Sequence, residues 1–300
     1  MNSKPLKAVR LPLRVLEAHA RSFLSSLRNR RPETRGTYQR ALREFIRWCA
    51  ADRRCRFRVQ DIERYKAYLV ETRQFSAVSV STYLTALRRL CAYLVAKRVL
   101  RGNPAASVPG FERPRFHSRD SLGPDDVQRL LLCLVATDER GLRDRAIILL
   151  MLTAGLAEIE IVRADVGDLS GTAAQATLSV QGKGHTRKDE VVSLPVSAVE
   201  AVQAYFMRRG AGHRGDPLFL SAGNSSRGNR LTTRAVRDRV NFYLRQAGIS
   251  RFRGDKKVSP YSLRHTAAVL LARGGATADE IREKMRLGTV ATAKLYLQTP

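Results

Sequence analysis

Two side chains in the C-terminal part of the sequence have the chemistry needed to act on a phosphate. Arg264 lies in the segment Tyr-Ser-Leu-Arg-His-Thr that begins at Tyr261, and Tyr296 follows this arginine by 32 residues. A guanidinium donates two parallel hydrogen bonds to phosphate oxygens and keeps its charge. A tyrosine hydroxyl can act as a nucleophile and form a covalent intermediate. The pair therefore indicates phosphoryl transfer to a tyrosine, provided that the fold brings the two side chains together.

The charge of the chain indicates which kind of phosphate it meets. Lysine and arginine number 54 against 27 acidic residues, which gives a net charge of +27 over 300 residues. So much unbalanced charge repels itself unless a polyanion neutralises it, and nucleic acid is the commonest such partner. A codon bias toward arginine is the alternative explanation for part of the excess. Charge alone thus favours a nucleic-acid-binding protein.

Composition also excludes several classes of protein. Hydrophobic residues make up 44% of the chain, which is enough for a folded core and excludes a disordered basic tail. No apolar run approaches the roughly 18 residues of a membrane span, and residues 1–13 lack the apolar region of a signal peptide. The five histidines do not cluster with the cysteines, which lack the spacing of a zinc site: Cys49, Cys55, Cys91 and Cys133. We expect a bacterial cytoplasmic protein, associated with the nucleoid, with reduced cysteines and no metal site.

The first third of the sequence has the periodicity of a helical bundle. Apolar residues recur at helical spacing in four segments, which we expect to begin near Leu13, Thr37, Asp61 and Ser79 or Ser81. The polar faces carry many basic residues, which are either ordinary solvated charges or contacts to a phosphate backbone. Backbone contacts position a protein without reading base sequence. The candidate DNA contacts in this region are Arg43, Arg88, Arg89 and Lys97.

The helical pattern breaks after Gly102, and triplets rich in proline and glycine indicate an extended linker over residues 103–120. We therefore expect a helical DNA-binding domain over residues 10–102 and a second domain over residues 121–300. The second domain has an almost wholly apolar helix, hence a buried one, and two short strands around a basic turn. We expect a first helix that starts within residues 121–126, further helices at 143–152, 199–208, 232–247, 263–273, 278–285 and 292–297, and strands at 176–180 and 191–194. The predicted fold class is mainly α, with a small β-hairpin or sheet in the second domain.

Four segments of this second domain resemble motifs of one known family. Residues 153–161 resemble its T-G-L-R-x-x-E-L motif, and residues 180–184 with the later Leu194-Pro195 resemble its G-K-G hairpin. Residues 261–266 resemble H-x-L-R-H-T, and residues 292–296 resemble T-x-x-Y. Each motif is weak alone, but four in order at the right separations form a specific signal. From about Leu13 onward the chain resembles the tyrosine recombinases, which include phage integrases, transposon integrases and chromosome-dimer resolvases.

The resemblance implies a fold, a reaction and partners. The fold would be a helical, SAM-like core-binding domain and an α-rich catalytic domain that close around double-stranded DNA. In the reaction, a tyrosine attacks the scissile phosphate, forms a 3′-phosphotyrosine and releases a 5′-hydroxyl, with neither a metal nor a nucleotide cofactor. The implied partners are DNA and other recombinase subunits in an oligomer on DNA, in a mobile element. Many members dock a segment beyond the nucleophile on a neighbour; four residues follow Tyr296 here, so that contact is absent or is supplied otherwise.

The resemblance also assigns roles to particular residues. Tyr296 is the nucleophile, Arg264 is the second arginine of the phosphate-binding pair, and Lys183 on the hairpin turn is the general acid. Tyr261 replaces a histidine and can still donate a hydrogen bond, while His265 is retained and counts as a DNA contact. Structural alternatives remain open: Lys183 as an ordinary turn lysine, Arg264 as a phosphate clamp without catalysis, and Tyr296 as a half-buried helix tyrosine.

Two positions depart from the family in ways that affect the chemistry. Ala157 stands where the family has its first arginine, and Leu287 stands where it has a histidine or tryptophan nine residues before the tyrosine. Arg163 lies six residues after Ala157, roughly on the opposite side of a 3.6-residue helix, so it is a poor replacement. We expect a catalytically impaired site-specific recombinase. The alternatives are a non-catalytic accessory or regulatory DNA-binding protein of a mobile element, and a general basic protein with a fortuitous likeness.

Overall fold

The computed structural model describes residues 11–29, 32–52, 56–112, 120–182, 185–210, 212–223, 227–254 and 256–298. The chain forms two compact units, Met1–Arg113 and Pro114–Pro300. Each unit has its own hydrophobic core, and the second unit has an additional small cluster at its C-terminal end. Within the described part of the chain, no helix is both long enough and apolar enough to span a membrane.

The first unit contains the four helices that the periodicity predicts. They are α1 (Leu13–Ser26), α2 (Pro32–Ala51), α3 (Val59–Glu71) and α4 (Ala77–Ala96). Three of the predicted starts were too late. Proline suits the first turn of a helix, so α2 begins before Thr37. Asp61 lies inside α3, where its carboxylate accepts hydrogen bonds from the backbone N–H groups of Arg56 and Arg58 at 2.9 Å. The side chain of Ser76 caps α4.

The predicted linker is partly a packed segment of the first unit. Arg88 on α4 donates hydrogen bonds from Nε to the carbonyl of Ala105 at 3.1 Å and from Nη2 to the carbonyl of Val108 at 2.9 Å. Asn103 returns a hydrogen bond to the carbonyl of Arg88 at 3.0 Å. Ala105 and Val108 are also part of the buried core. Residues 103–112 therefore pack against α4, in place of the extended linker that proline and glycine content suggested.

The second unit is mainly helical, as predicted. Its helices are α5 (Pro124–Leu132), α6 (Glu139–Thr153), α7 (Glu158–Arg163), α8 (Val196–Arg209), α9 (Thr233–Gln246), α10 (Pro260–Arg273), α11 (Ala278–Lys284) and α12 (Val290–Leu297). Helix α6 packs against α8, α9 and α10, and every side chain from Ala146 to Leu152 is buried. This confirms the prediction that the apolar segment is a buried helix.

The β-structure contains the predicted hairpin and two further small elements. Strands β2 (Thr177–Val180) and β3 (Glu190–Ser193) are the predicted pair, with Leu178 opposite Val192. A short strand β1 (Leu169–Ser170) adds to β2, which gives an antiparallel sheet in the order β1-β2-β3. Strands β4 (Phe252–Arg253) and β5 (Lys256–Lys257) form a second small ladder. Two-residue strands have too little periodicity to be recognised from sequence.

Candidate active site

The turn between α6 and α7 places a backbone carbonyl at the centre of the site. Gly155 has φ +61, and a Cβ at this position would lie 2.7 Å from the side chain of Met285. Only glycine adopts this left-handed conformation readily, and only glycine fits the space. The Gly155 carbonyl accepts hydrogen bonds from Arg264 Nη1 at 2.5 Å and from Arg286 Nη2 at 3.0 Å. The turn therefore fixes two guanidinium groups beside the start of α7.

Glu160 on α7 is the acidic partner of both arginines. Its Oε2 accepts from Arg264 Nη1 at 3.1 Å and from Arg286 Nη2 at 2.9 Å, and its Oε1 accepts from Arg286 Nε at 2.9 Å. Its side chain is 4% exposed. Burial raises the pKa of Glu160, but the hydrogen bond from Arg286 and the charges of both arginines outweigh burial, so the pKa is lowered. The carboxylate is therefore ionised and holds both guanidinium groups in place.

Arg264 is held on three sides but retains donors for a ligand. It also donates through Nη2 to the carbonyl of Met285. The Nε hydrogen and one Nη2 hydrogen have no partner recorded among the residues that the structure describes. A guanidinium has five N–H donors, so a fixed arginine of this kind can still bind an anion.

Arg286 is a member of this network that the sequence analysis missed. It follows α11, has φ +50, and its side chain is 5% exposed. A non-glycine residue in the left-handed region costs free energy, which the buried pairing with Glu160 offsets. The only signal in the sequence was a basic residue between Met285 and Leu287, in an otherwise apolar segment. That signal is too weak to distinguish a buried arginine from an exposed one.

Tyr296 on α12 lies against His265 on α10. Its hydroxyl oxygen is 2.9 Å from His265 Nδ1, and the two residues are only 3% and 5% exposed. The His265 ring also packs edge-on against Tyr261, with 5.0 Å between the ring centroids. Burial raises the pKa of the Tyr296 phenol, the nearby Tyr261 raises it further, and the charge of Arg264 opposes the rise. The phenol is therefore protonated at neutral pH and needs a proton acceptor to become a nucleophile.

A cavity of about 580 Å³ opens beside Arg264 and Glu160. Tyr261 and Arg264 line it from α10, and Ala157 and Leu287, the two departures noted in the sequence, also line it. The remaining wall is formed by Glu158, Ile159, Glu160, Thr233, Arg237, Arg286 and Gly288. The whole lining has three arginines, Arg237, Arg264 and Arg286, against the two carboxylates of Glu158 and Glu160, so its net charge is positive and suits an anionic group such as a phosphate. Arg163 lies in the last turn of α7 and is not part of this wall.

Both units match known family models. Residues 120–299 match the phage integrase family, and residues 15–99 match the N-terminal SAM-like domain of phage integrases. The tyrosine recombinase XerC of Pelobacter propionicus is 31% identical over 282 residues, which cover 92% of this chain and 88% of the relative. The chain belongs to the phage integrase family of tyrosine recombinases. The resemblance inferred from the four motifs is thereby confirmed.

Other similar proteins and solved structures support the same family and fold. The tyrosine recombinase XerC of Escherichia coli O127:H6 is 27% identical over 277 residues, which cover 91% of this chain and 88% of the relative. The XerH recombinase bound to a palindromic difH substrate has a TM-score of 0.74 at 17% identity, covering 96% of this chain and 82% of that one. A lambda integrase dimer bound to a COC′ core site has a TM-score of 0.71 at 14% identity, with coverages of 93% and 94%. At such identities the structures establish the shared fold, and the predicted fold class is confirmed.

The structure brings three of the four predicted catalytic residues of this integrase-family chain close to one another. Tyr261 and Arg264 line the cavity, whereas Tyr296 is buried, and the ring of His265 contacts both tyrosines. Lys183 lies outside the described residues. The hairpin that carries it is anchored by Lys188, which bonds Asp165 at 2.5 Å and also bonds Asp168. Asp165 and Asp168, which follow α7, therefore tie the hairpin to the rest of the second unit.

The five predicted DNA contacts of this phage integrase family member fall into two groups. Arg43, Arg89 and Lys97 are exposed on the first unit. Arg88 is half-buried and its guanidinium binds the backbone of residues 105 and 108. His265 is buried and contacts Tyr296. The last two thus have identified structural partners, which helical periodicity alone did not reveal.

Proposed function

We propose that this chain is a site-specific DNA recombinase that cleaves and rejoins double-stranded DNA slowly, through a 3′-phosphotyrosine at Tyr296. The observation that carries the proposal is the contact of Tyr296 with His265, on the same helix as Arg264. Arg264 and Tyr261 line a cavity with the charge for an anionic ligand, and His265, which packs on Tyr261, pairs with the buried phenol of Tyr296. The family membership supplies the reaction type.

In the proposed cleavage step, the Tyr296 oxygen attacks the scissile phosphorus and the bond from phosphorus to the 5′-oxygen breaks. His265 Nδ1 accepts the phenol proton, in the tautomer that carries its own proton on Nε2. The remaining donors of Arg264 and the Tyr261 hydroxyl stabilise charge on the non-bridging oxygens. By resemblance, Lys183 supplies the proton that the departing 5′-oxygen needs. Rejoining is the reverse of these transfers, with a 5′-hydroxyl as the nucleophile.

The missing side chains support slow cleavage. Neither the methyl group of Ala157 nor the side chain of Leu287 can donate a hydrogen bond to a phosphate oxygen. Loss of one preorganised donor typically lowers the rate of such reactions by about 100- to 1000-fold. We therefore expect cleavage well below that of a member with both donors, and still above the uncatalysed reaction.

DNA binding is the part of the proposal that depends least on the active site. The net charge is +27, and Arg43, Arg89 and Lys97 offer exposed cations on the first unit. The similar solved structures include recombinases and integrases bound to DNA, among them a lambda integrase dimer. We propose that this chain likewise binds duplex DNA, that it acts there as an oligomer, and that it works in the bacterial cytoplasm on a mobile element.

A second candidate function is an accessory or regulatory DNA-binding subunit without catalysis. The burial of Tyr296 favours it, because a 3% exposed nucleophile must move before it can reach a phosphate. Such a protein would keep the DNA affinity and lose the chemistry.

The experiment that separates the two candidates begins with a duplex selected by the full chain from a random DNA pool. The selected duplex is nicked next to each candidate scissile phosphate, so that the short released fragment diffuses away and religation fails. A covalent adduct that survives denaturing electrophoresis, and that Tyr296→Phe abolishes while DNA affinity is kept, supports the recombinase. Salt-sensitive binding without any adduct supports the accessory protein. Affinity that does not change with salt would contradict both candidates.

A further inference from the structure

Arg237 on α9 brings a third guanidinium to the cavity, from an element outside the four family motifs. Its Nε lies 3.2 Å from Glu158 Oε1, and Glu158 is the residue directly after Ala157. Helices α7 and α9 pack together, and Arg237, Ala157, Tyr261 and Arg264 all line the same cavity. A positive charge is therefore present next to the position where the family has its first arginine and this chain has a methyl group.

The pairing with Glu158 leaves Arg237 able to bind a ligand. Its side chain is 54% exposed. Among the described residues, neither Nη group has a recorded partner, so the fork that suits phosphate oxygens is open. The Glu158 side chain is only 12% exposed, so this carboxylate is the fixed partner of the pair and restricts where the guanidinium of Arg237 can lie.

Arg286 is not an alternative source of this charge. Its side chain is 5% exposed, and Glu160 and the carbonyls of Gly155 and Lys284 take its donors. Moving it toward a ligand would leave the buried carboxylate of Glu160 with one fewer partner, which is costly. Of the three arginines that line the cavity, Arg237 is the one whose two Nη groups are open to a ligand and whose ion-pair partner, Glu158, is next to Ala157.

We propose that Arg237 binds the phosphate oxygen that the first arginine of the family would bind, and so compensates in part from α9 for the loss at Ala157. This inference rests on the proposed function of the site, and it adds a phosphate-binding residue that the sequence motifs do not contain. Glu158 positions the guanidinium, and Arg264 holds the second non-bridging oxygen.

The first test needs no cleavage activity and no knowledge of the DNA site. The probe is inorganic phosphate, added to the full chain labelled with ¹⁵N at arginine, and the readout is the Nε–Hε resonance of Arg237, assigned from its loss in Arg237→Lys. We expect a saturable shift of this resonance that disappears when Arg264→Gln removes the partner arginine. Arg234 is the matched control, because it lies on the same helix and is 91% exposed. Equal, non-saturating shifts at Arg234 and Arg237 would overturn the inference.

The second test measures the single-turnover rate of adduct formation on the selected nicked duplex, at saturating protein. Arg237→Ala is expected to lower this rate by about 100-fold, the typical effect of one lost donor, while Arg234→Ala leaves it unchanged. The double variant Arg237→Ala with Ala157→Arg should recover most of the loss, whereas Arg237→Ala with Ala157→Met should not. In Arg237→Ala the carboxylate of Glu158 loses its partner, and the double variant Arg237→Ala with Glu158→Gln removes that charge as well. A loss of rate that persists in the double variant is therefore caused by the missing guanidinium.

The two proposals fail in different ways. If the wild-type chain forms no adduct, the proposed cleavage function fails, and the phosphate titration alone decides whether Arg237 binds an anion. If the wild-type chain forms an adduct and Arg237→Ala forms it at the same rate, the role of Arg237 is overturned and the cleavage function stands.

Discussion

The hydroxyl oxygen of Tyr296 lies 2.9 Å from Nδ1 of His265, and both residues are almost fully buried. Removing one partner of a buried hydrogen bond destabilises the fold, because the remaining group loses its partner without gaining a water molecule. The contact therefore holds α12 against α10 as well as the nucleophile against its proton acceptor.

The first prediction concerns the energy of this contact. Tyr296→Phe, His265→Ala and the double variant form a thermodynamic cycle, and we expect a coupling energy of about 1 kcal/mol, the usual net value of a hydrogen bond. Urea unfolding of the four proteins measures it. Strictly additive effects would mean that the two groups do not interact in solution.

The second prediction concerns alkaline pH. Because burial raises the pKa of Tyr296, the folded state retains this proton more strongly than the unfolded state, where a tyrosine has a pKa of about 10. The resulting stability is complete below about pH 10 and is lost as pH rises toward the folded pKa. The free energy of unfolding of the wild type should therefore fall relative to Tyr296→Phe above about pH 10. Parallel pH profiles would contradict the raised pKa. The raised pKa of buried Tyr65 is common to both proteins and cancels in the difference.

The third prediction concerns the carboxylate between Arg264 and Arg286. Glu160→Gln leaves two nearly buried guanidinium groups without their counter-charge, and we expect a loss of about 3–5 kcal/mol of unfolding free energy at neutral pH. Glu283→Gln, at an exposed position on α11, is the control and should change stability by less than about 0.5 kcal/mol.

The fourth prediction follows from the lowered pKa of Glu160. The stability contributed by this group is present above its unfolded pKa of about 4.5 and is lost as pH falls through the lower folded pKa. The difference in unfolding free energy between the wild type and Glu160→Gln should therefore shrink under acid conditions. A difference that stays constant down to about pH 2 would show that the carboxylate is not the titrating group.

The fifth prediction separates two neighbouring arginines on α4. Arg88→Ala removes the donors of two backbone carbonyls and should lower the stability of the first unit by about 1–3 kcal/mol. Arg89→Ala should leave stability unchanged and weaken DNA binding, with the slope of log K against log salt reduced by about 0.9. Urea unfolding and fluorescence anisotropy on the selected duplex measure the two effects. A DNA-binding defect in Arg88→Ala alone would reverse the assignment.

Much of the fold could be predicted because its signals are local. The apolar stripe of α4, the wholly apolar segment of α6 and the alternation in β2 and β3 involve residues within a few positions of one another. Each of the four family motifs is also local, and their order along the chain identified the family. The errors arose where a local signal was not decisive. The capping threonine at Thr37 predicted the start of α2, whereas the helix begins at Pro32. Proline and glycine predicted an extended linker, whereas residues 103–112 pack on α4 through contacts that are distant in sequence.

The sequence by itself determined the helical fold class, the family, the order of Arg264 and Tyr296, and the absence of an arginine at position 157. The tertiary structure decided which charges surround the cavity. Arg286 and Glu160 are 126 residues apart, and Arg237 and Glu158 are 79 residues apart. No periodicity or short motif reports such pairs, because they form only when helices distant in sequence pack together and bury part of each side chain. A basic residue has the same letter whether it is solvated, paired in the core or open to a phosphate, and only the packing around it distinguishes these three states.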